Sequence, residues 1–180
     1  MNIKELVAGY KDEMIEHLSK LVSYNSVSEA DENTPFGKEA TACLNEALSM
    51  CEQYGFKTEN LDNYCGYAQI GEGEKLIGIL GHLDIVPCGE GWATDPLCAT
   101  VKNGNIYGRG TTDDKGACVA AMTAMKIVSD LNVDINKRVR LIMGINEERG
   151  SRCLKHYVEK EGDVDYGFTP DGNFPAIYGE

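Results

Sequence analysis

Four short stretches of this sequence place histidine or acidic residues directly after an apolar or glycine-rich run. They read "GHLD" (81–84), "GRGTTDDKG" (108–116), "NEERGS" (146–151) and "TPDGNFP" (169–175). Carboxylates that cluster without a cation repel one another and take up protons. Histidine and acidic side chains gathered in one place are therefore typical of a site for divalent cations.

The first motif pairs a histidine with an aspartate two residues later. In an extended chain, residues i and i+2 project to the same side, so Asp84 should lie beside His82. Asp84 could then accept a hydrogen bond from the ring nitrogen that does not face a metal. A single histidine at a strand end is more often a structural residue than a ligand, but the aspartate at this spacing favours the ligand hypothesis.

The second motif contains two adjacent aspartates, Asp113 and Asp114, just before a helix expected to begin at Lys115. A helix cap and the positive end of the helix dipole would explain one aspartate at this place. They do not require two. The pair therefore leaves open a structural role, a ligand role, or one of each.

The last two motifs carry acidic residues after apolar strands. Glu147 and Glu148 could be a solvated helix start, yet they follow the apolar run "LIMGIN" directly, where exposed charge would normally wait for a turn. Adjacent residues of an extended chain face opposite ways, so the two carboxylates should have different roles. Asp171 lies between Pro170 and Gly172 and by itself resembles an ordinary turn aspartate.

The elements that must position these motifs alternate between helix and strand. Apolar residues at helical spacing predict helices at about 3–24, 36–54, 115–130 and 151–160. Apolar runs predict strands at 67–71, 75–82, 138–146 and 166–171, and Asn103 with Gly104 predicts a hairpin turn. This alternation is typical of a layered α/β domain, in which ligands bind beyond the carboxyl ends of the strands.

Composition narrows the class of protein. A net charge of -12 over 180 residues leaves no basic patch for nucleic acid. The amphipathic N-terminus lacks the apolar core of a signal peptide, and no apolar run reaches the roughly 20 residues that span a bilayer. We therefore expect a cytoplasmic protein with no membrane partner.

Seven cysteines without a CxxC pair predict free, mostly buried thiols.

In their order and spacing, the four motifs resemble a family of two-zinc metallopeptidases. That family includes aminoacylases, glutamate carboxypeptidases, desuccinylases and carnosinase-type dipeptidases. The stretches "GEGW", "DDKG" and "TPDGNFP" are most similar to those of bacterial dipeptidases that cleave Xaa-Xaa dipeptides. The resemblance implies a three-layer α/β/α sandwich with a mostly parallel mixed sheet.

The resemblance also implies a role for each residue of the motifs. It implies that Glu147 is the general base and that Asp84 acts by orienting a ligand. It implies these metal ligands: His82 and Asp171 for one ion, Glu148 for the other, and Asp113 as the bridge between them. The implied cofactor is two divalent ions, zinc first, with manganese or cobalt as alternatives.

The implied reaction is hydrolysis of the amide bond of a dipeptide. The alternatives are a deacylase acting on N-acyl amino acids, and a non-catalytic metal-binding remnant. Members of the family complete the second metal site with a histidine far toward the C-terminus, whereas this sequence ends at Glu180. We therefore expect residues 1–180 to be the N-terminal part of the catalytic domain, without the lid and dimerisation domain and the C-terminal part. Alone, the chain should be inactive and prone to self-association.

Overall fold

The computed structural model describes residues 2–172. The end of the "TPDGNFP" motif, residues 173–175, and Glu180 lie outside the described residues. In chain order the elements are α1 (Ile3–Gly9), α2 (Lys11–Val22), α3 (Lys38–Gln53), β1 (Lys57–Leu61), β2 (Cys65–Ile70), β3 (Leu76–His82), β4 (Thr100–Lys102), β5 (Asn105–Tyr107), α4 (Lys115–Asp130), β6 (Arg138–Gly144), α5 (Arg152–Glu161) and β7 (Tyr166–Phe168).

The main sheet is mixed, with the strand order β1-β2-β6-β3-β7. β3 pairs in parallel with both β6 and β7, whereas β2 pairs antiparallel with β1 and β6. β4 and β5 form a separate hairpin. Its turn is at Asn103 and Gly104, both of which have a positive φ, as a tight two-residue hairpin turn requires. The prediction of an α/β fold with a mixed sheet is confirmed.

Helices cover both faces of the sheet. A side chain at Gly81 of β3 would collide with Cys118 of α4, and one at Gly144 of β6 would collide with Cys153 of α5. These glycines let the helices on opposite faces approach the backbone closely. α3 packs on the strands β1 and β2, and α2 packs on α3 and α4. The result is the expected three-layer α/β/α arrangement.

The strands β6 and β7 end earlier than predicted, at Gly144 and Phe168, and two further elements differ from the sequence prediction. The first helical segment is divided at Tyr10 into α1 and α2, directly after Gly9, a residue of low helix propensity. The strand β1 was not predicted, because "KTENL" contains one apolar residue, Leu61. β1 is an edge strand that pairs with β2 through its backbone, and polar side chains are typical of such edges.

The cysteines are as predicted. All seven are free, and five of them are buried in the core: Cys43, Cys51, Cys65, Cys118 and Cys153. Between residues 2 and 172, none of the helices has the length and apolar character needed to cross a lipid bilayer.

Candidate metal centre

Three of the four motifs lie at one edge of the sheet. β6, β3 and β7 are neighbouring parallel strands, so their carboxyl ends point the same way. "GHLD" contains the end of β3, "NEERGS" follows β6 after one residue, and "TPDG" follows β7. The fourth motif, "DDKG", leads into α4, which packs against β3. The topology therefore brings all four motifs together.

His82, Asp113 and Asp171 form the closest group of side chains at this edge. Nε2 of His82 lies 3.0 Å from Oδ1 of Asp113 and 3.5 Å from Oδ2 of Asp171. One ligand atom from each residue lies within 4.8 Å of the other two. Oxygen and imidazole nitrogen atoms at such distances could surround a single divalent ion.

The Nε2 atom of His82 is buried and has no hydrogen-bond partner within the described part of the chain. Its contact with Asp113 is short but does not have hydrogen-bond geometry. A buried nitrogen without a partner is costly unless a ligand satisfies it. This orphaned atom, facing two carboxylates, fits a metal ion at the site.

The opposite ring nitrogen of His82 is held by Asp84. Nδ1 lies 3.0 Å from the backbone carbonyl of Asp84 and 3.4 Å from its Oδ1. A carbonyl only accepts hydrogen bonds, so Nδ1 carries a proton and donates it here. In the neutral ring Nε2 then presents its lone pair to the two carboxylates. Asp84 lies beside His82 as the i, i+2 spacing predicts, but the oxygen that accepts the hydrogen bond is the backbone carbonyl and not the predicted carboxylate.

The charge state of His82 depends on the same neighbours. Burial lowers the pKa of the imidazole, but the hydrogen bond and charge of Asp84, with the charge of Asp114, outweigh burial and raise the pKa to about 10. Without a metal the ring is therefore protonated at neutral pH. A cation bound at Nε2 would replace that proton.

The carboxylate of Asp84 also organises the "NEERGS" loop. It is fully buried and accepts hydrogen bonds from the backbone N–H groups of Glu147, at 3.0 Å, and Glu148, at 3.1 Å. The sequence pattern does not predict this second contact. The available signal was a charged residue inside an apolar segment, "HLDIV", because a buried carboxylate needs donors from elsewhere in the fold.

The two glutamates lie in a turn, so the premise that they belong to extended chain was wrong. β6 ends at Gly144, and the N–H of Gly150 donates to the carbonyl of Glu147 to close the turn. Asp84 holds the backbone N–H groups of both glutamates, and a contact between residues so far apart cannot be read from the local sequence.

Their side chains nevertheless face different surroundings. Oε2 of Glu147 is 3.9 Å from Nε2 of His82, and the side chain is 42% exposed. Glu148 is half-buried, and burial, with the charge of Asp113, raises its pKa. Glu148 is not one of the three closest ligands.

The two aspartates of "DDKG" have separate environments. The side chain of Asp113 is 62% exposed and faces His82. Asp114 is fully buried, and its Oδ2 accepts a hydrogen bond of 3.0 Å from the backbone N–H of His82. Burial raises the pKa of Asp114 to about 6. Asp114 occupies the N-cap position of α4 but makes no capping hydrogen bond, so helix capping does not explain its side chain.

Asp171 completes the group from the end of β7. Its backbone N–H donates to the hydroxyl of Thr169, and its side chain is 33% exposed. A small cavity of about 170 Å³ adjoins it, with Leu80, His82 and Glu147 in its walls. A polar cluster beside a cavity is an arrangement that a small substrate could reach.

The other two histidines lie elsewhere. Nε2 of His156 is 2.9 Å from Oδ2 of Asp62, and its ring stacks on Tyr64. Nδ1 of His17 contacts the hydroxyl of Tyr54 at 3.3 Å. Neither histidine belongs to the group around His82.

The comparison with known proteins assigns the family. The model of peptidase family M20/M25/M40 matches residues 78–178, more than half of the chain and all four motifs. The chain therefore belongs to this family of metal-dependent peptide hydrolases. The resemblance noted in the sequence is confirmed at this level.

Individual relatives agree with this assignment. "Putative dipeptidase YtjP" of Bacillus subtilis (strain 168) is 43% identical over 183 residues, covering 100% of this chain and 40% of the relative. The crystal structure of human carnosine dipeptidase 1 superposes with a TM-score of 0.80 at 28% identity, covering 93% of this chain and 40% of that one. A metallo-carboxypeptidase of the M20 family from Sulfolobus solfataricus gives a TM-score of 0.75 at 27% identity, covering 89% of this chain and 37% of that one. The chain thus spans about 40% of the length of these relatives.

Proposed function

We propose that this chain contributes the metal site of a dipeptidase, in which a glutamate general base helps water to cleave the amide bond. The observation that carries the proposal is the buried, unpartnered Nε2 of His82, which faces carboxylate oxygens of Asp113 and Asp171. The names of the Bacillus subtilis and human relatives support a dipeptide as the substrate.

We assign the metal ligands as in the sequence interpretation. His82 and Asp171 would hold one ion, Glu148 would hold a second, and Asp113, whose exposed carboxylate faces His82, would be a ligand to both. Two ions are proposed, zinc first, with manganese or cobalt as alternatives that suit the same nitrogen and oxygen donors. When bound, such ions supply an acidified water and polarise the scissile carbonyl.

Glu147 acts as the general base. Its carboxylate is near His82 yet 42% exposed, so it can reach a substrate in the adjoining cavity. It takes a proton from the attacking water and delivers it to the leaving amine. Asp84 positions this base relative to His82, because its carboxylate accepts the backbone N–H of Glu147 and its backbone carbonyl accepts Nδ1 of His82.

The chain covers about 40% of the length of the Bacillus subtilis relative, so the activity of the whole enzyme is proposed here and not shown. We propose that residues 1–180 form the N-terminal part of a metallopeptidase catalytic domain. We propose that the remainder of the enzyme supplies a further ligand to the second site, so that residues 1–180 alone should be nearly inactive. Self-association and a cytoplasmic location stay predictions. The seven free thiols are compatible with a reducing compartment.

A deacylase of N-acyl amino acids is the alternative within the same chemistry, and a metal-binding remnant is the alternative outside catalysis. Zinc titration by calorimetry should give about one tightly bound ion per 180-residue chain, since one group of three ligands exists among residues 2–172. A screen of dipeptides against N-acyl amino acids, on the full-length product of the gene, separates the two enzymes. Absence of zinc binding would contradict the metal site, and two tight ions per isolated chain would contradict the ligand assignment.

A further inference from the structure

A short segment after α2, residues 24–28 ("YNSVS"), contacts three of the four motif loops. We call it the anchor segment. It belongs to no helix or extended strand, and its only ladder contact among the described residues is a single bridge between Val27 and Ile85. Ser26 and Ser28 are nevertheless buried. Buried hydroxyl groups outside regular structure need specific partners, and these partners lie in the loops of the metal site.

The first contact is made by Lys115 of the "DDKG" motif. Lys115 is fully buried, and its Nζ donates a hydrogen bond of 2.9 Å to the backbone carbonyl of Tyr24. Its aliphatic stem fills the space above Gly110, where a side chain would collide with it. Because a buried ammonium group is costly without a partner, this bond fixes the loop against the anchor segment. Lys115 is two residues from Asp113.

The second contact holds the "GHLD" loop. The hydroxyl of Ser26 donates to the carbonyl of Leu83 at 2.6 Å, and the N–H of Ile85 donates to the carbonyl of Ser26 at 3.2 Å. Leu83 lies between the histidine and the aspartate of the motif. Both of those residues are therefore held through the backbone that joins them.

The third contact holds the "NEERGS" loop. Nδ2 of Asn146 donates to the hydroxyl of Ser28 at 2.8 Å, and both side chains are buried. Oδ1 of the same asparagine accepts the backbone N–H of Arg152, at the start of α5. Asn146 directly precedes Glu147. The amide thus joins the loop to the anchor segment on one side and to a helix on the other.

We propose that the anchor segment is a positioning element of the metal site, with Ser26, Ser28 and Lys115 as its positioning residues. Each contact falls within two residues of a proposed ligand or of the proposed base. The acidic side chains repel one another before a cation binds, so loops that were not tied to a common support would separate. One support for three loops keeps the ligands at fixed distances from one another. Residues behind the ligands raise the affinity of a site for its metal in this way. The inference rests on the proposed metal site for its functional meaning.

The test compares Ser26→Ala and Ser28→Ala with the parent chain, using zinc alone as the probe. Each variant removes one hydroxyl and changes little volume. We expect the zinc dissociation constant to rise by about 10- to 100-fold, the usual effect of removing support behind a ligand. Lys115→Met serves as a third variant, since methionine keeps the apolar stem and removes the donor. If this variant does not fold, the two serine variants still decide the question.

Thr123→Val is the matched control. Thr123 is equally buried, and its hydroxyl donates to the carbonyl of Val119 within α4, away from the loops. This substitution should lower stability without changing zinc affinity. If the two serines only pack, their variants should behave like the control. Unchanged zinc affinity in both serine variants would therefore overturn the proposal.

Hydrogen exchange in the metal-free chain gives a second measurement that does not depend on zinc. The amides of Ile85 and Glu147 should exchange at least about tenfold faster in the serine variants than in the control, because their loops open more readily. Equal exchange rates would overturn the inference even if the parent chain bound no zinc. A parent chain that binds no zinc, with faster loop exchange in the variants, would contradict the proposed function and leave the positioning of the loops established.

Discussion

The backbone N–H of Glu147 donates a hydrogen bond of 3.0 Å to Oδ1 of Asp84, which joins the turn after β6 to the end of β3. The other oxygen of the same carboxylate accepts the N–H of Glu148. Because the backbone carbonyl of Asp84 also accepts a hydrogen bond from Nδ1 of His82, one fully buried residue fixes three residues of the candidate site.

Asp84→Asn should weaken zinc binding by about 10- to 100-fold, because an amide nitrogen cannot accept the second N–H bond and that part of the loop is released. The loss of stability should be about 1–3 kcal/mol, the usual cost of leaving a buried donor unsatisfied. Calorimetry and chemical denaturation measure the two effects. Asp165→Asn is the control, since Asp165 accepts the N–H of Leu76 at the opposite end of β3. Equal zinc affinity in both variants would contradict the role of Asp84.

Asp113 and Asp114 should respond differently to substitution. Asp113→Ala removes the exposed carboxylate that faces His82 and should abolish tight zinc binding. Asp114→Asn keeps an oxygen that accepts the backbone N–H of His82, so this variant should retain tight zinc binding. Metal analysis after gel filtration distinguishes the two. If both variants held zinc like the parent, the assignment within "DDKG" would be wrong.

Glu147 and Glu148 should separate catalysis from binding. In the full-length protein, Glu147→Gln should keep its metal content and lose turnover by several orders of magnitude, because the base is removed. Glu148→Gln should lose metal, since an amide is a weaker ligand than a carboxylate. Metal content and turnover are measured on the same preparations. The opposite pattern would exchange the two roles.

Zinc affinity should rise with pH. Burial lowers the pKa of His82, but Asp84 and Asp114 outweigh burial and raise the pKa to about 10. The ring must therefore release a proton when the ion binds near neutral pH. Calorimetry at pH 7 in two buffers of different ionisation enthalpy should report about one proton released per ion. A His82→Gln variant should release none.

The same shift makes a prediction for the metal-free chain. A raised pKa means that the folded state holds the proton more tightly. The contribution of His82 to stability is therefore complete below its ordinary pKa of 6.5 and is lost as the pH rises toward about 10. Denaturation of the parent and of His82→Gln at pH 6 and pH 9 measures this. A difference between them that grows with pH would contradict the assigned shift.

Local patterns in the sequence identified most of the secondary structure and the residues of the site. α4 was predicted with its observed bounds, because apolar periodicity and the turn before Lys115 both act over a few residues. The pattern of acidic or histidine residues after apolar or glycine-rich runs indicated the four motifs, whereas the choice of His82, Asp113 and Asp171 as ligands came from the family resemblance. The rule that carboxyl ends of parallel strands share one edge was sufficient for three of these motifs, whereas "DDKG" follows the separate hairpin and reaches the site because α4 packs against β3.

Only the tertiary structure decided how each side chain is held. The polar strand β1 forms because β2 offers it a backbone ladder, which no pattern within "KTENL" reveals. Asp114 turns inward to the backbone of His82, 32 residues earlier in the chain, although its sequence position resembles a helix cap. Asp84 reaches the N–H groups of a turn more than 60 residues away. Hydrogen bonds of this kind depend on which loops meet in space, so local sequence determined the kinds of residue at the site and long-range packing determined their partners.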